Sequence, residues 1–261
     1  TGTITPEQVA AAIRPDTALV TIMYANNEIG SILPIAEIGA VCREKGVIFH
    51  TDAVQAAGHL HIDVKAQNID MLSLSGHKLH APKGIGVLYV RKGVRFRPFL
   101  RGGHQENGRR AGTENVPYIV GLGVAAQLAA THMEEERVSV ALLRDRLEQG
   151  LLAVIPECMV NGDIANRLPN TTNIAFKNVE GEAILLMLDR LGICASSGSA
   201  CTSGSLEPSH VLRAMGVPFN YAHGSVRLSL SRYTTQDEVD FVIAHFPDVI
   251  KTLRDISPYK D

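Results

Sequence analysis

Lys78 stands in the stretch Ser73-Leu74-Ser75-Gly76-His77-Lys78-Leu79-His80-Ala81-Pro82-Lys83-Gly84, between apolar runs at 69–72 and 85–90. Two such runs separated by Ser, Gly, His and Pro predict two strands and a connecting loop. A lysine just past a buried strand sits where open sheets place ligands. Its amine becomes a nucleophile where its surroundings lower its pKa, and is otherwise a solvated loop lysine. Asp52 follows the apolar run 47–51, and a crossover-length segment separates it from the strand before Lys78. Both side chains can therefore meet at one end of a sheet. They would form either an ion pair or a pyridoxal phosphate site, in which a lysine makes a Schiff base and a carboxylate pairs with the protonated pyridine nitrogen. Gln55, one turn on, is placed to donate to the ring hydroxyl.

Other residues suit the same crevice. Asn27 ends the preceding strand; with Asn26 beside it, at least one of the two is expected to be a turn residue, because Asn tolerates left-handed backbone. Ser75 and His77 flank Gly76, and hydroxyl, imidazole and a close backbone suit a phosphate, or else make a polar turn. Arg227 alternates with Val226 and Leu228 and faces away from them. Its fork suits a carboxylate bidentately, whether from a substrate or from a structural ion pair. Cys201 lies among small polar residues, Ser196 to Ser205, whose glycines and serines give the loop freedom to act as a lid or swinging arm. Cys42, Cys158 and Cys194 carry the ordinary expectation of a buried small hydrophobe. Arg109, Arg110 and Thr113 occupy a basic, glycine-rich loop over 91–113, suited to an anion or an oligomer interface. The one close histidine pair, His59 and His61, flanks Leu60 in a loop, and no metal site is expected.

The elements that must position these residues follow from pattern. Thr5-Pro6-Glu7-Gln8 opens a helix. The run 18–23 predicts a strand covered on both faces; a second helix runs from Pro34 to about Lys45 and stops at Gly46. Strands follow at 47–51 and 69–73, with an antiparallel edge strand at 85–90. From Pro117 to about Val154 the pattern is helical, with Glu134, Glu135 and Glu136 solvated and Leu142, Leu143 and Leu147 inward. The rest predicts a half-buried strand at 171–176, a helix at 180–191, a helix at 207–215, a strand at 225–230 and a last helix capped by Thr235 and Glu238. The organisation is therefore α/β: a mainly parallel sheet with helical crossovers over 1–135, then a smaller α+β domain over 136–261. At 261 residues, 45% hydrophobic, 20% charged and a formal net charge of −2, a packed core is expected, with no nucleic-acid or membrane footprint. The four cysteines lack zinc-ligand spacing, which points to a reducing, cytoplasmic setting.

Together, Asn26-Asn27-Glu28-Ile29-Gly30, His50-Thr51-Asp52-Ala53-Val54-Gln55, Ser75-Gly76-His77-Lys78 and the segment from Ser196 through Cys201 to Ser209 resemble the NifS-like cysteine desulfurases, which are related to the class V aminotransferases. The long serine-glycine cysteine loop resembles the group holding the nitrogen-fixation and housekeeping enzymes. The resemblance implies a fold-type I pyridoxal 5'-phosphate enzyme, a homodimer, that converts L-cysteine to L-alanine and passes sulfur as a persulfide to an iron–sulfur scaffold or another acceptor protein. It implies Lys78 as the Schiff-base lysine, Asp52 at the pyridine nitrogen, Gln55 at the ring hydroxyl, and Ser75 and His77 at the phosphate. Thr113 would reach the partner's phosphate. Asn27 would lie beside cofactor and substrate, Arg227 would hold the substrate carboxylate, and Cys201 would take the sulfur. Family members carry a further N-terminal segment with a phosphate loop and a stacking histidine, which this sequence does not show. The alternatives are a selenocysteine lyase, an aminotransferase, or a non-catalytic piece that binds a sulfur acceptor.

Overall fold

The computed structural model describes residues 1–197 and 207–258. Contacts divide the chain into two compact units: Ile4–Tyr24 with Pro34–Met133, and Thr1–Thr3, Ala25–Leu33 with Glu134–Asp261. Residues 25–33 thus leave the strand-rich first half of the sequence to pack with the second unit.

The first unit opens with α1 (Pro6–Ala12), where Thr5 and Gln8 close a reciprocal capping box. It continues through β1 (Leu19–Met23), α2 (Ile35–Glu44), β2 (Ile48–Asp52), β3 (Met71–Ser75), β4 (Gly86–Val90), the short α3 (Gln105–Gly108) and the start of α4 (Val116–Val154). The sheet order is β1-β2-β3-β4. The first three strands are parallel, and β4 runs antiparallel to β3 at the edge, as the pattern predicts. Helix α2 buries Ile35, Ile38, Gly39 and Cys42. Its approach is close: a Cβ on Gly39 would lie 2.2 Å from the Gln67 carbonyl oxygen. Gly46, at φ +68°, ends it. Two expectations differ from what is found. The β2–β3 connection is made of successive turns rather than a helix, with isolated bonds such as those from the Ala57 and Leu60 N–H groups to the Ala53 and Ala56 carbonyls. Strand β1 is not covered on both faces: it is an edge strand with Leu19 and Thr21 exposed. By length and composition alone α4 also meets the measure of a membrane-spanning helix, although no uninterrupted apolar run in the sequence is that long.

The second unit takes the rest of α4, then β5 (Cys158–Val160), β6 (Thr171–Phe176), α5 (Gly181–Asp189), β7 (Ser196–Ser197), α6 (His210–Ala214), α7 (Phe219–Ala222), β8 (Ser225–Ser229) and α8 (Gln236–Ile256). The strands form an antiparallel sheet in the order β5-β6-β8-β7. Helices α4, α5 and α8 pack their apolar stripes on it, through Val140, Leu147, Leu151, Ile184, Leu188, Phe246 and Ile250 among others. Strand β6 is buried at every position, not half-buried. Its polar residues are accommodated because each finds a partner: Thr172 donates to Glu148 at 2.5 Å, and Asn173 donates to the Glu28 carbonyl at 3.0 Å. Glu148 is itself held bidentately by Arg167. Leu142, expected inward, is 67% exposed, because Val140, Leu147 and Leu151 define the buried stripe of α4. Glu136, expected in solvent, is mostly buried in an ion pair with Arg232.

Phe246 is fully buried, with its ring centroid 5.1 Å from that of Phe176. Replacing Phe246 with Ala is expected to destabilise the second unit by about 3–5 kcal/mol, read as a lower urea midpoint with an unchanged slope.

Candidate active site

Parallel pairing sends the carboxyl ends of β2 and β3 to the same edge of the sheet. Asp52, the last residue of β2, is in register with Ser73, two residues before β3 ends at Ser75. The chain then makes a 3-10 turn, Gly76–Leu79, that carries His77 and Lys78. Gly76 is required there: a Cβ would lie 2.7 Å from Ile85 Cγ2 and 3.1 Å from the Ile85 carbonyl oxygen. Leu79 is buried with Ala57, Ala81, Leu122 and Ala125, while His77 and Lys78 are exposed. Ser75 Oγ and His77 Nδ1 are 2.7 Å apart. Asp52 Oδ1 accepts from the Val54 N–H at 2.9 Å, which opens the turn holding the half-buried Gln55. One strand edge therefore presents a carboxylate, an amine, a carboxamide and a hydroxyl–imidazole pair.

His50 belongs to this arrangement and sequence reasoning gave it no role. It shares a face of β2 with Asp52, two residues away. Its Nδ1 lies 2.7 Å from Thr21 Oγ1 on β1 and its Nε2 lies 2.8 Å from Ser73 Oγ on β3. The signal was present as His50 and Asp52 at period two on β2, in register with the polar Thr21 of β1 and Ser73 of β3. Burial pushes the imidazole below its ordinary value, with the Asp52 charge opposing. The residues alternating with these, Phe49, Thr51 and Leu72, are buried on the opposite face.

Asn27 and Arg227 meet in the second unit. Arg227 Nη1 donates to the Asn27 carbonyl at 2.6 Å, and no carboxylate pairs with the guanidinium among the described residues. Its Nε is buried without a hydrogen-bond partner. Of the two asparagines, Asn26 is the turn-former: its Oδ1 accepts from the N–H groups of Glu28 and Ile29 at 2.8 and 3.1 Å. Thr113 is exposed in the loop before α4. Cys201 lies outside the described residues. Cys42 is buried and Cys158 half-buried, but Cys194 is exposed, contrary to expectation, because it follows the turn that ends α5 rather than continuing its apolar stripe. No cluster of three or more His, Cys, Asp or Glu side chains suited to a metal occurs among the described residues.

The aminotransferase class-V family model matches residues 1–242; the chain belongs to that family. Within it, the members the chain resembles in both sequence and fold are the NifS-like cysteine desulfurases. A cysteine desulfurase of Nostoc sp. is 63% identical over 260 residues, covering 100% of this chain and 65% of the relative. The cysteine desulfurase NifS of Azotobacter vinelandii is 60% identical over 258 residues, covering 99% of this chain and 64% of the relative. A solved NifS-like protein superposes with a TM-score of 0.88 at 35% identity, covering 97% of this chain and 66% of that one. The chain thus spans just under two thirds of the length of the curated relatives it matches. The fold is that of the fold-type I pyridoxal phosphate enzymes.

The His50 ring is expected to titrate below 6.5. Because its folded-state pKa is lowered, its contribution to stability is complete above the unfolded value and falls as pH drops from there through the folded value. Ring-nitrogen NMR of labelled protein checks the titration, and denaturation at pH 7.5 and pH 5.5 checks the sign.

Proposed function

We propose that the protein acts as a pyridoxal phosphate-dependent cysteine desulfurase, converting L-cysteine to L-alanine and delivering sulfur, as a persulfide on Cys201, to an acceptor protein of iron–sulfur cluster assembly. The observation that carries the reading is the placement of Asp52 and Lys78 at the carboxyl ends of two adjacent parallel strands. The donor set fits the cofactor in kind: an amine for the aldehyde, a carboxylate for a ring nitrogen, and a hydroxyl–imidazole pair beside a glycine for the phosphate. The Arg227 guanidinium, with no carboxylate partner among the described residues and a buried Nε without a hydrogen bond, supports a ligand carboxylate.

In this reading Asp52 holds the proton on the ring nitrogen, Gln55 donates to the ring hydroxyl, and Ser75 and His77 bind the phosphate, joined by Thr113 from the partner of a homodimer. Bound pyridoxal phosphate supplies an electron sink that stabilises negative charge at the substrate Cα. Arg227 takes the substrate carboxylate in its fork and Asn27 orients the amino acid beside it. The Lys78 amine holds the cofactor and, once released by substrate, moves the Cα proton. The Cys201 thiolate attacks the substrate sulfur; the S–S bond forms as the C–S bond breaks, and the three-carbon fragment gains a proton and leaves as alanine. This supplies a nucleophile at one end of the substrate and charge stabilisation at the other.

Three substitutions test the assignment. Lys78→Ala is expected to abolish the borohydride-reducible visible band and to cut alanine formation by at least about 10²–10⁴-fold. Cys201→Ser should keep the band but form no protein persulfide, scored by mass spectrometry after incubation with L-cysteine. Arg227→Lys keeps the charge but loses the fork, and KM for cysteine should rise roughly tenfold or more. A Cys201→Ser protein that releases sulfide at the normal rate would remove the nucleophile role. Comparing products from cysteine and selenocysteine separates the desulfurase from a lyase.

A further inference from the structure

Two residues of the motifs, Glu28 and Ser209, have no task in that reaction. Glu28 is 5% exposed, yet no Lys, Arg or His pairs with it among the described residues. Its Oε2 instead accepts from Ser209 Oγ at 2.5 Å, across 181 residues of sequence. The same serine oxygen accepts from the Val211 N–H at 3.1 Å and caps α6. A buried acidic side chain whose partner among the described residues is a neutral hydroxyl is not explained by helix capping, which Ser209 performs alone.

The reason lies in what surrounds it. Three side chains fasten the turn at 26–30 on two adjacent residues: Arg227 of β8 on the Asn27 carbonyl, Asn173 of β6 on the Glu28 carbonyl, and Ser209 on the Glu28 carboxylate. Arg227 Nη1 is attached to this turn and has no acidic partner among the described residues, so a shift of the turn shifts the fork with it. We infer that Glu28 is a positioning residue. Through Ser209 it locks the Asn27 turn, and the turn holds the Arg227 fork in the one orientation that accepts a substrate carboxylate by two parallel bonds. Bidentate pairing is lost on small displacements, so the lock acts on substrate binding rather than on cofactor chemistry. This inference rests on the reading of Asn27 and Arg227 as substrate-binding.

The test is steady-state kinetics of the full-length, cofactor-loaded protein with L-cysteine, beside its visible spectrum and thermal midpoint. Glu28→Ala should raise KM about tenfold, the loss of one hydrogen bond's worth of orientation, with kcat and the cofactor band unchanged. Glu28→Gln keeps an acceptor for the Ser209 hydroxyl and should restore KM to within about threefold. Ser209→Ala should raise KM as Glu28→Ala does, and the double variant should be no worse than either single one, because the pair acts as a unit. A normal KM in Glu28→Ala, additive effects in the double variant, or a Glu28→Gln protein that loses stability without regaining KM each overturn the inference. If the underlying reading fails, the sign is different: the unaltered protein does not turn over L-cysteine, or Arg227→Lys leaves its KM unchanged.

Discussion

The parallel alignment of β2 with β3 is the constraint on which the rest of the first unit depends. It brings the last residue of β2 and the turn after β3 to one edge, so Asp52, Ser75, His77 and Lys78 share it without any further device. It also divides the strands into two faces. Phe49, Thr51 and Leu72 are buried on one, and Thr21, His50, Asp52 and Ser73 line the other. A slip of one residue would send the carboxylate into the core and phenylalanine out to the opposite face. The diagonal from Thr21 through His50 to Ser73 ties three strands together on that face.

The second unit solves a different problem, how to keep a central strand, β6, buried at every position when half of its residues are polar. It does so by giving Thr172 and Asn173 of β6 distant partners. Glu148 is central: burial pushes its carboxyl up, but hydrogen bonds from Arg167 and Thr172, with the Arg167 and Arg144 charges, outweigh this and leave it below its ordinary value. Arg167 and Glu148 are 4% and 7% exposed, a pair in which removing either partner strands the other. Arg227, by contrast, has no carboxylate partner among the described residues, whereas Arg167 and Arg232 are paired with Glu148 and Glu136.

Much of this was legible in the sequence, and the reasons are local. The capping boxes at Thr5 and Thr235, the stop at Gly46 and the antiparallel β4 depend on residues a few positions apart, where pattern and geometry coincide. So did the placement of Lys78 and Asp52 at strand ends. What was not legible depended on partners far along the chain. The alternation over 171–176 reads as half-buried because nothing nearby announces that Thr172 will meet Glu148 or that Asn173 will meet the Glu28 carbonyl. Leu142 and Leu147 are equivalent by composition, and only the seating of α4 decides that one is exposed and the other buried. Glu28 went unassigned for the same reason, since its partner is Ser209.

The turn that carries Lys78 is a 3-10 turn rather than an α-helical one, and this governs the direction of its amine. With three residues per turn, successive side chains leave the axis about 120° apart. Leu79 is committed to the apolar cluster of Ala57, Leu122 and Ala125, and its Cδ2 sits 2.6 Å from where a Cβ on Gly58 would be. Fixing that one spoke fixes the rotation of the whole turn, and with it the bearing of the lysine one position earlier. The bearing of the Lys78 amine is thus indexed by the volume of a neighbouring leucine, and a residue added between Lys78 and Leu79 would turn the lysine by about a third of a revolution.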